Sequence, residues 1–221
     1  MKITKHAQSC LLIETKESRV LIDPGTYVFK EEGLKPEDFD KIDIIAFTHE
    51  HSDHFDLEAV KTIIKINSPK ILAPKAVADQ LGGTSNIQKV KPGFEKEFND
   101  ITVECFSSKH GPLPDGTKPP EVVGILIDDG KKRLYTPGDS LFIDQEVDAE
   151  VIAIPFCGEV TMDLDTAVTE IIKSRPSYVI PIHYDNPRFP ANENKFVQEV
   201  LELGINARAL DWGESINTQD K

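Results

Sequence analysis

Apolar residues in this chain fall into short runs broken by turn-forming and charged residues. Residues 9–13 and 18–22 are two such runs, joined by Glu14-Thr15-Lys16-Glu17, and read as a hairpin. Residues 42–47, rich in branched side chains, read as a buried strand. Further strands are predicted at 70–73, 95–98, 101–106, 122–127, 133–136, 151–156, 178–182 and 207–210, with turns at Asn99-Asp100 and Asp128-Asp129-Gly130-Lys131. A period near 3.6 replaces this pattern at 57–66, 163–173 and 192–203 and predicts amphipathic helices. Their apolar faces carry Val60, Ile63 and Ile64, then Leu164, Val168, Ile171 and Ile172, then Phe196, Val197, Val200 and Leu201. Residues 75–81 read as a shorter helix. Ser52 or Asp56 offers an N-cap to the first helix and Thr161 or Asp163 to the second. Glu170 is expected to be a surface charge. Residues 26–40 read as a polar loop carrying Tyr27 and Phe29, either a mobile wall for a site or a segment packed on the core. Residues 111–121 are too rich in Pro and Gly for regular structure, and the tail at 213–221 is expected to fray. No fixed-period repeat or linker divides the chain, so one domain of mixed α and β structure is expected, its strands mostly antiparallel.

Charge and cysteine usage narrow the function class. With 25 Lys and Arg against 38 Asp and Glu, the net charge of −13 argues against a nucleic-acid partner held by bulk electrostatics. No apolar run approaches the length of a membrane span, and the N-terminus lacks a signal-peptide apolar segment. A cytoplasmic location is therefore the expectation. Cys10, Cys105 and Cys157 are widely spaced and lack a C-x-x-C pattern, which indicates neither a disulfide framework nor a structural zinc site. Cys157 follows a buried-strand run and so can lie near a site.

The chemistry concentrates after the strand at 42–47. Thr48-His49-Glu50-His51-Ser52-Asp53-His54 places three imidazoles and a carboxylate within six residues. These are the usual ligands of zinc, manganese and iron. Alternation along an extended segment throws His49 and His51 to one side, and the following turn can swing Asp53 and His54 toward a second point nearby. Three further strands end in candidate groups: Asp23 before Pro24-Gly25, His110 before Gly111, and Asp139 in Gly138-Asp139-Ser140. His183 closes the run at 178–182. His6 precedes the first strand and by itself reads as an exposed or hydrogen-bonded histidine.

The T-H-E-H-S-D-H segment resembles the signature of the metallo-β-lactamase superfamily of dinuclear metal hydrolases. The resemblance runs over most of the chain and implies an α+β fold, the four-layer αββα sandwich of two mixed sheets flanked by helices. It implies one divalent ion on His49, His51 and His110, a second on Asp53, His54 and His183, and Asp139 bridging both. Asp23 would orient a ligand histidine from behind, and His6 matches an N-terminal histidine that in the family sits close to the metals. Zinc is the first choice of metal, with manganese or iron as alternatives. Two such ions share a water and lower its pKa to roughly 7, yielding a bridging hydroxide nucleophile. Asp53 would accept the water's proton, and Asp53 and His183 are the catalytic candidates.

H-A-Q-S-C-L-L-I-E, L-I-D-P, T-M-D and P-I-H-Y-D make the chain similar to compact prokaryotic hydrolases near the ascorbate-6-phosphate lactonase branch. That implies a lactone, ester or phosphodiester bond in a small molecule. Tyr184, Asn186 and Arg188 are candidate substrate contacts; Arg188 either grips a carboxylate or phosphate bidentately or is a surface charge. His51 stands where the oxygen-reducing di-iron branch carries Glu, which disfavours redox chemistry. The expected partner is a small-molecule substrate, with no nucleic acid or membrane, and the chain can form a homo-oligomer. Two other readings stay open: a metal-binding sensor without turnover, and a di-iron redox protein.

Overall fold

A computed structural model of the chain describes residues 1–218. In the first half, strands β1 (Lys2–Lys5), β2 (Leu11–Glu14) and β3 (Arg19–Ile22) lead through helix α1 (Thr26–Lys30) to β4 (Ile44–Ala46). Then follow α2 (Leu57–Asn67), β5 (Lys70–Ala73), α3 (Lys75–Gln80) and β6 (Ile87–Lys89). The second half runs β7 (Glu95–Phe98), β8 (Ile101–Ser107), β9 (Val123–Asp128), β10 (Arg133–Thr136) and β11 (Val151–Pro155). It closes with α4 (Leu164–Ser174), β12 (Tyr178–Ile182), α5 (Glu193–Glu202), β13 (Asn206–Ala207) and β14 (Ser215–Asn217).

The strands form two seven-stranded sheets, ordered β14-β1-β2-β3-β4-β5-β6 and β13-β12-β11-β10-β9-β8-β7. In each sheet the strands at one end pair antiparallel, and crossovers pair those at the other end parallel. The sheets are thus evenly mixed, where the sequence pattern alone suggested mostly antiparallel pairing. Ile13, Val20, Ile22 and Ile44 of one sheet pack against Val103, Ile125, Ile127 and Ala153 of the other. The outer face of the first sheet (Leu21, Ile45, Ile71) buries Val60, Ile63 and Val77 of α2 and α3. The outer face of the second (Ile152, Ile154, Val179) buries Ala167, Ile171, Phe196 and Val200 of α4 and α5. The architecture is therefore the four-layer αββα sandwich.

Asp56 caps α2, accepting from Ala59 N at 3.0 Å, and Asp163 caps α4, accepting from Thr166 N at 2.8 Å. Several expectations need correction. Residues 2–5 form an additional strand. The 9–13 run begins its strand only at Leu11, because Gln8 takes a left-handed conformation (φ 59°) that turns the chain. The tail does not fray at 215–217. There β14 pairs antiparallel with β1, Ile3 opposite Ile216, and covers what would otherwise be an open sheet edge. Residues 219–221 lie outside the described residues. The 26–40 segment contains α1 and a 3-10 turn at Pro36–Asp38 rather than loop alone. Val28 docks into the outer core, Phe29 packs edge-on against Phe39, and Thr26 N donates to Ser52 O at 2.7 Å.

Glu170 is buried rather than on the surface. Its Oε2 accepts from Ile143 N at 2.9 Å, and Lys173 Nζ donates to Oε1 at 2.5 Å. The inward stripe of α4 runs through Ala167 and Ile171, which leaves Ile172 47% exposed. On α5 the stripe is Phe196 and Val200, and Leu201 is exposed. No helix among the described residues is long and apolar enough to cross a membrane.

Candidate metal centre

The predicted histidines and acids meet where strands of the two sheets end. β4 leads to His49, His51, Asp53 and His54; β8 leads to His110; β10 leads to Asp139; β12 leads to His183. Two groups of donors result. His49, His51 and His110 form one; Asp53, His54, Asp139 and His183 form the other. Within each group the donor atoms lie within 4.8 Å of one another. Asp139 faces both. Its Oδ2 lies 3.7 Å from His110 Nε2, 4.0 Å from His49 Nε2 and 3.2 Å from His183 Nε2, and its Oδ1 lies 3.1 Å from His54 Nε2. His183 Nε2 is also 3.4 Å from Asp53 Oδ2.

Contacts behind the rings set which ring nitrogen faces inward. Asp23 Oδ1 accepts from Thr48 N at 2.8 Å, and Asp23 Oδ2 accepts from Thr48 Oγ1 at 2.6 Å and from His54 Nδ1 at 2.8 Å. A carboxylate can only accept, so the Thr48 hydroxyl proton points at Asp23. Its oxygen lone pair is then left for His49 Nδ1–H at 3.0 Å. His110 Nδ1 donates to Gly111 O at 2.8 Å. These contacts occupy Nδ1 of His49, His54 and His110 with a proton and leave Nε2 of each ring as the nitrogen that faces inward.

Two glycines permit this packing. A Cβ on Gly25, just after Asp23-Pro24, would lie 1.8 Å from Asp53 O. A Cβ on Gly138 would lie 2.7 Å from Thr48 Cβ, and Gly138 has φ +61°.

The Nε2 atoms of His49, His54, His110 and His183 and Oδ1 of Asp139 are buried yet make no aligned hydrogen bond. Buried polar atoms left this way are costly unless something fills the space between them. Imidazole nitrogens around shared carboxylates fit divalent metal ions, and the donor set suits zinc, manganese or iron. Electrostatics agree. Burial alone would lower His54, but Asp139 and Asp23 outweigh it and hold its imidazole at about 10. Burial likewise opposes the rise at His183, which Asp139 and Asp53 bring about. Burial would raise Asp139 and Asp53, yet the neighbouring imidazoles hold both below the carboxylate range. Burial, with the other imidazoles, lowers His49 and His51. Protons on His54 and His183 thus hold the place that cations would take.

A cavity of about 530 Å³ opens onto this cluster, with His51, Asp53, His110 and Asp139 on its wall. Tyr27 of α1 and Leu113, Pro114 and Asp115 of the 111–121 loop line other sides, together with Asn186 and Arg188. Asn186 Nδ2 donates to Asp53 Oδ2 at 3.4 Å.

A family model described as a beta-lactamase superfamily domain matches residues 2–183. The chain belongs to that superfamily. It is 31% identical over 193 residues to a UPF0173 metal-dependent hydrolase of Thermoplasma acidophilum, covering 84% of each chain. It is 29% identical over 231 residues to the UPF0173 metal-dependent hydrolase YtkL of Bacillus subtilis, covering 98% of this chain and 99% of that one. The metallo hydrolase Igni18 of Ignicoccus hospitalis shares the fold at a TM-score of 0.79, with 22% identity and 97% of each chain covered. The chain is a metal-dependent hydrolase of the UPF0173 family.

Within this superfamily fold, some candidates lie away from the cluster. His6 joins neither donor group. Its Nδ1 pairs with Glu32 Oε1 at 2.8 Å, its ring packs edge-on against Phe39, and Glu32 Oε2 accepts from Ala7 N. Tyr184 is structural rather than a substrate contact. Its hydroxyl donates to Leu210 O at 2.9 Å, and its ring lies under Lys5 Nζ and beside Phe156. Phe29 likewise serves packing. Cys10, Cys105 and Cys157 are all free thiols. Burial raises Cys157, but His183 and Thr161 beside it bring it down to about 7.

Sequence reading missed Thr48, whose hydroxyl joins His49 to Asp23. Its only signal was its position directly before His49. Asp185 was also missed as an anchor: its Oδ2 receives Lys5 Nζ at 2.9 Å, Gln8 N at 3.3 Å and Trp212 Nε1 at 2.5 Å. These bonds fix the segment after His183 against β1.

Proposed function

We propose that this chain is a dinuclear metal-dependent hydrolase that cleaves an ester, lactone or phosphodiester bond in a small anionic molecule. One observation carries the reading. Four buried, unpartnered imidazole nitrogens converge from three strand ends onto Asp139, at the end of a fourth, beside a cavity large enough for a small molecule.

His49, His51 and His110 would hold one ion; Asp53, His54 and His183 would hold the other, with Asp139 shared. Zinc is the first metal to test, then manganese and iron. Bound there, divalent ions would supply a Lewis acid and an acidified water.

The chain's own groups do the rest. Asp53 stays ionised, so it accepts a hydrogen bond from attacking water and fixes its direction. Asn186 holds Asp53 Oδ2 in that orientation. Asp23 and Thr48 keep His54 and His49 in the ligand tautomer. Arg188 on the cavity wall offers a planar cation to a carboxylate or phosphate on the substrate. Tyr27 and the 111–121 loop cover the cavity and restrict water. The partner is thus a small molecule, and the location that suits this chemistry is the cytoplasm. A homo-oligomer is compatible with it.

The test is a panel of p-nitrophenyl esters, aliphatic and phosphorylated lactones, and bis-p-nitrophenyl phosphate. It would be run with zinc-loaded, manganese-loaded and chelator-treated protein. Turnover on at least one class, lost with chelator and restored by metal, supports the reading. Full metal occupancy without turnover on any class would favour a metal-binding sensor instead.

A further inference from the structure

A second, larger cavity of about 820 Å³ borders the other end of the 111–121 loop. Leu113, Pro114 and Asp115 of that loop line the cavity at the metal centre; Pro119, Pro120 and Glu121 line the second. His110 is common to both walls. Val90, Val122 and Val123 make an apolar floor, flanked by Pro74 and Pro92.

The rim is cationic. Lys75, Lys89, Lys91 and Lys109 line it against a single lining acid, Glu121. Asp79, outside the cavity, pairs with Lys75 and with Lys89 (2.7 Å to Lys89 Nζ). Lys91 and Lys109 are exposed and have no ion-pair partner among the described residues. In the chain as a whole acids outnumber bases, 38 Asp and Glu against 25 Lys and Arg. Two free ammonium groups over an apolar hollow are the reverse arrangement.

We propose that this cavity is a separate binding site for a small amphipathic anion. An acyl or aryl body would lie on Val90, Val122 and Val123, with a carboxylate, sulfonate or phosphate head between Lys91 and Lys109. The volume matches that of pockets which enclose small organic ligands. The apolar floor supplies burial, and the lysines act as point charges that accept an anion in many orientations. A free molecule fits better than a lipid surface. The site is concave, and the net negative charge of the whole chain is repelled by an anionic membrane.

The probe is 8-anilinonaphthalene-1-sulfonate, titrated into metal-depleted full-length protein and followed by fluorescence and calorimetry. This keeps the test independent of whether the metal centre hydrolyses anything. One saturable site is expected. Octyl phosphate displaces the probe, while octanol or inorganic phosphate at equal concentration does not. Lys91→Glu combined with Lys109→Glu weakens the probe about tenfold or more, since each exchange turns attraction into repulsion. Lys16→Glu with Lys131→Glu, on two hairpins that do not line this cavity, leaves binding unchanged. All four positions are exposed, and a thermal melt of each variant confirms that it is folded.

Non-saturating binding, or an affinity unchanged in the Lys91/Lys109 variant, overturns the proposal. So does an equal loss in the Lys16/Lys131 variant, which would show bulk charge at work. Displacement by inorganic phosphate alone would remove the apolar component. Cosedimentation with phosphatidylglycerol vesicles in place of octyl phosphate binding would reassign the patch to a membrane.

Discussion

Replacing Thr48 with Val keeps the shape of the side chain and removes only its hydroxyl. In the native site that hydroxyl donates to Asp23 Oδ2 at 2.6 Å and accepts from His49 Nδ1 at 3.0 Å. Asp23 would still accept from Thr48 N and His54 Nδ1, so the carboxylate is only partly deprived. His49 is fully buried and would lose its only hydrogen bond at Nδ1. Stranding a buried donor costs about 1–3 kcal/mol. The ring can escape that cost by moving its proton to Nε2, which then can no longer ligate. Loss of a partner behind a ligand histidine typically weakens metal binding about 10–100-fold. At about 1.4 kcal/mol per tenfold, the two ranges agree. Competition against a chromophoric zinc chelator would measure the change directly. Thr48→Ser, which retains the hydroxyl, is the control and should stay within about threefold of wild type, well under one tenfold step. If Thr48→Val binds zinc as tightly as wild type, or if Thr48→Ser is equally damaged, the hydroxyl does not set the His49 tautomer and this reasoning fails.

Other perturbations follow from the same geometry. In the metal-free protein His54 is held at about 10, above its unfolded value of about 6.5. Its protonation therefore stabilises the fold fully below pH about 6.5, and that contribution is lost as pH rises through about 10. Urea midpoints of the metal-free protein should fall between pH 7 and 10, while zinc affinity rises over the same interval as ions displace fewer protons. A zinc affinity flat from pH 7 to 9 would contradict this. Gly25→Ala places a methyl 1.8 Å from Asp53 O and should sharply lower metal content. Gly130→Ala meets nothing within 4 Å and should cost only about 1 kcal/mol through its positive φ, with metal content intact. Glu170→Ala strands Ile143 N and should destabilise by about 1–3 kcal/mol in a denaturant titration, without changing metal stoichiometry.

Much of the fold was readable because the strands are short apolar runs whose ends carry the chemistry. The His49-to-His54 segment was the clearest, since four donors that meet in space are also adjacent in sequence. His110, Asp139 and His183 were found by position, each just past a buried strand. What escaped depends on partners far along the chain. His6 was read as either close to the metals or hydrogen-bonded elsewhere, and only the fold shows that Glu32, 26 residues away, holds it. Glu170 looked like a solvated charge because nothing local reveals the Ile143 amide that its carboxylate caps. The 215–217 strand is weakly apolar and acquires its role only from the open edge of β1. Thr48 was overlooked because a threonine beside a histidine cluster has no distinctive pattern. Its importance arises from Asp23, which the fold brings from a neighbouring strand.

The most direct test of the account is metal content per chain by elemental analysis, on wild type and on Asp139→Ala, after zinc loading and desalting. Among the described residues Asp139 is the carboxylate paired with histidines of both donor groups. Close to two metals in wild type, with a clear drop in Asp139→Ala, is the result predicted here. A single metal or none in wild type, unchanged by Asp139→Ala, would contradict a shared dinuclear centre.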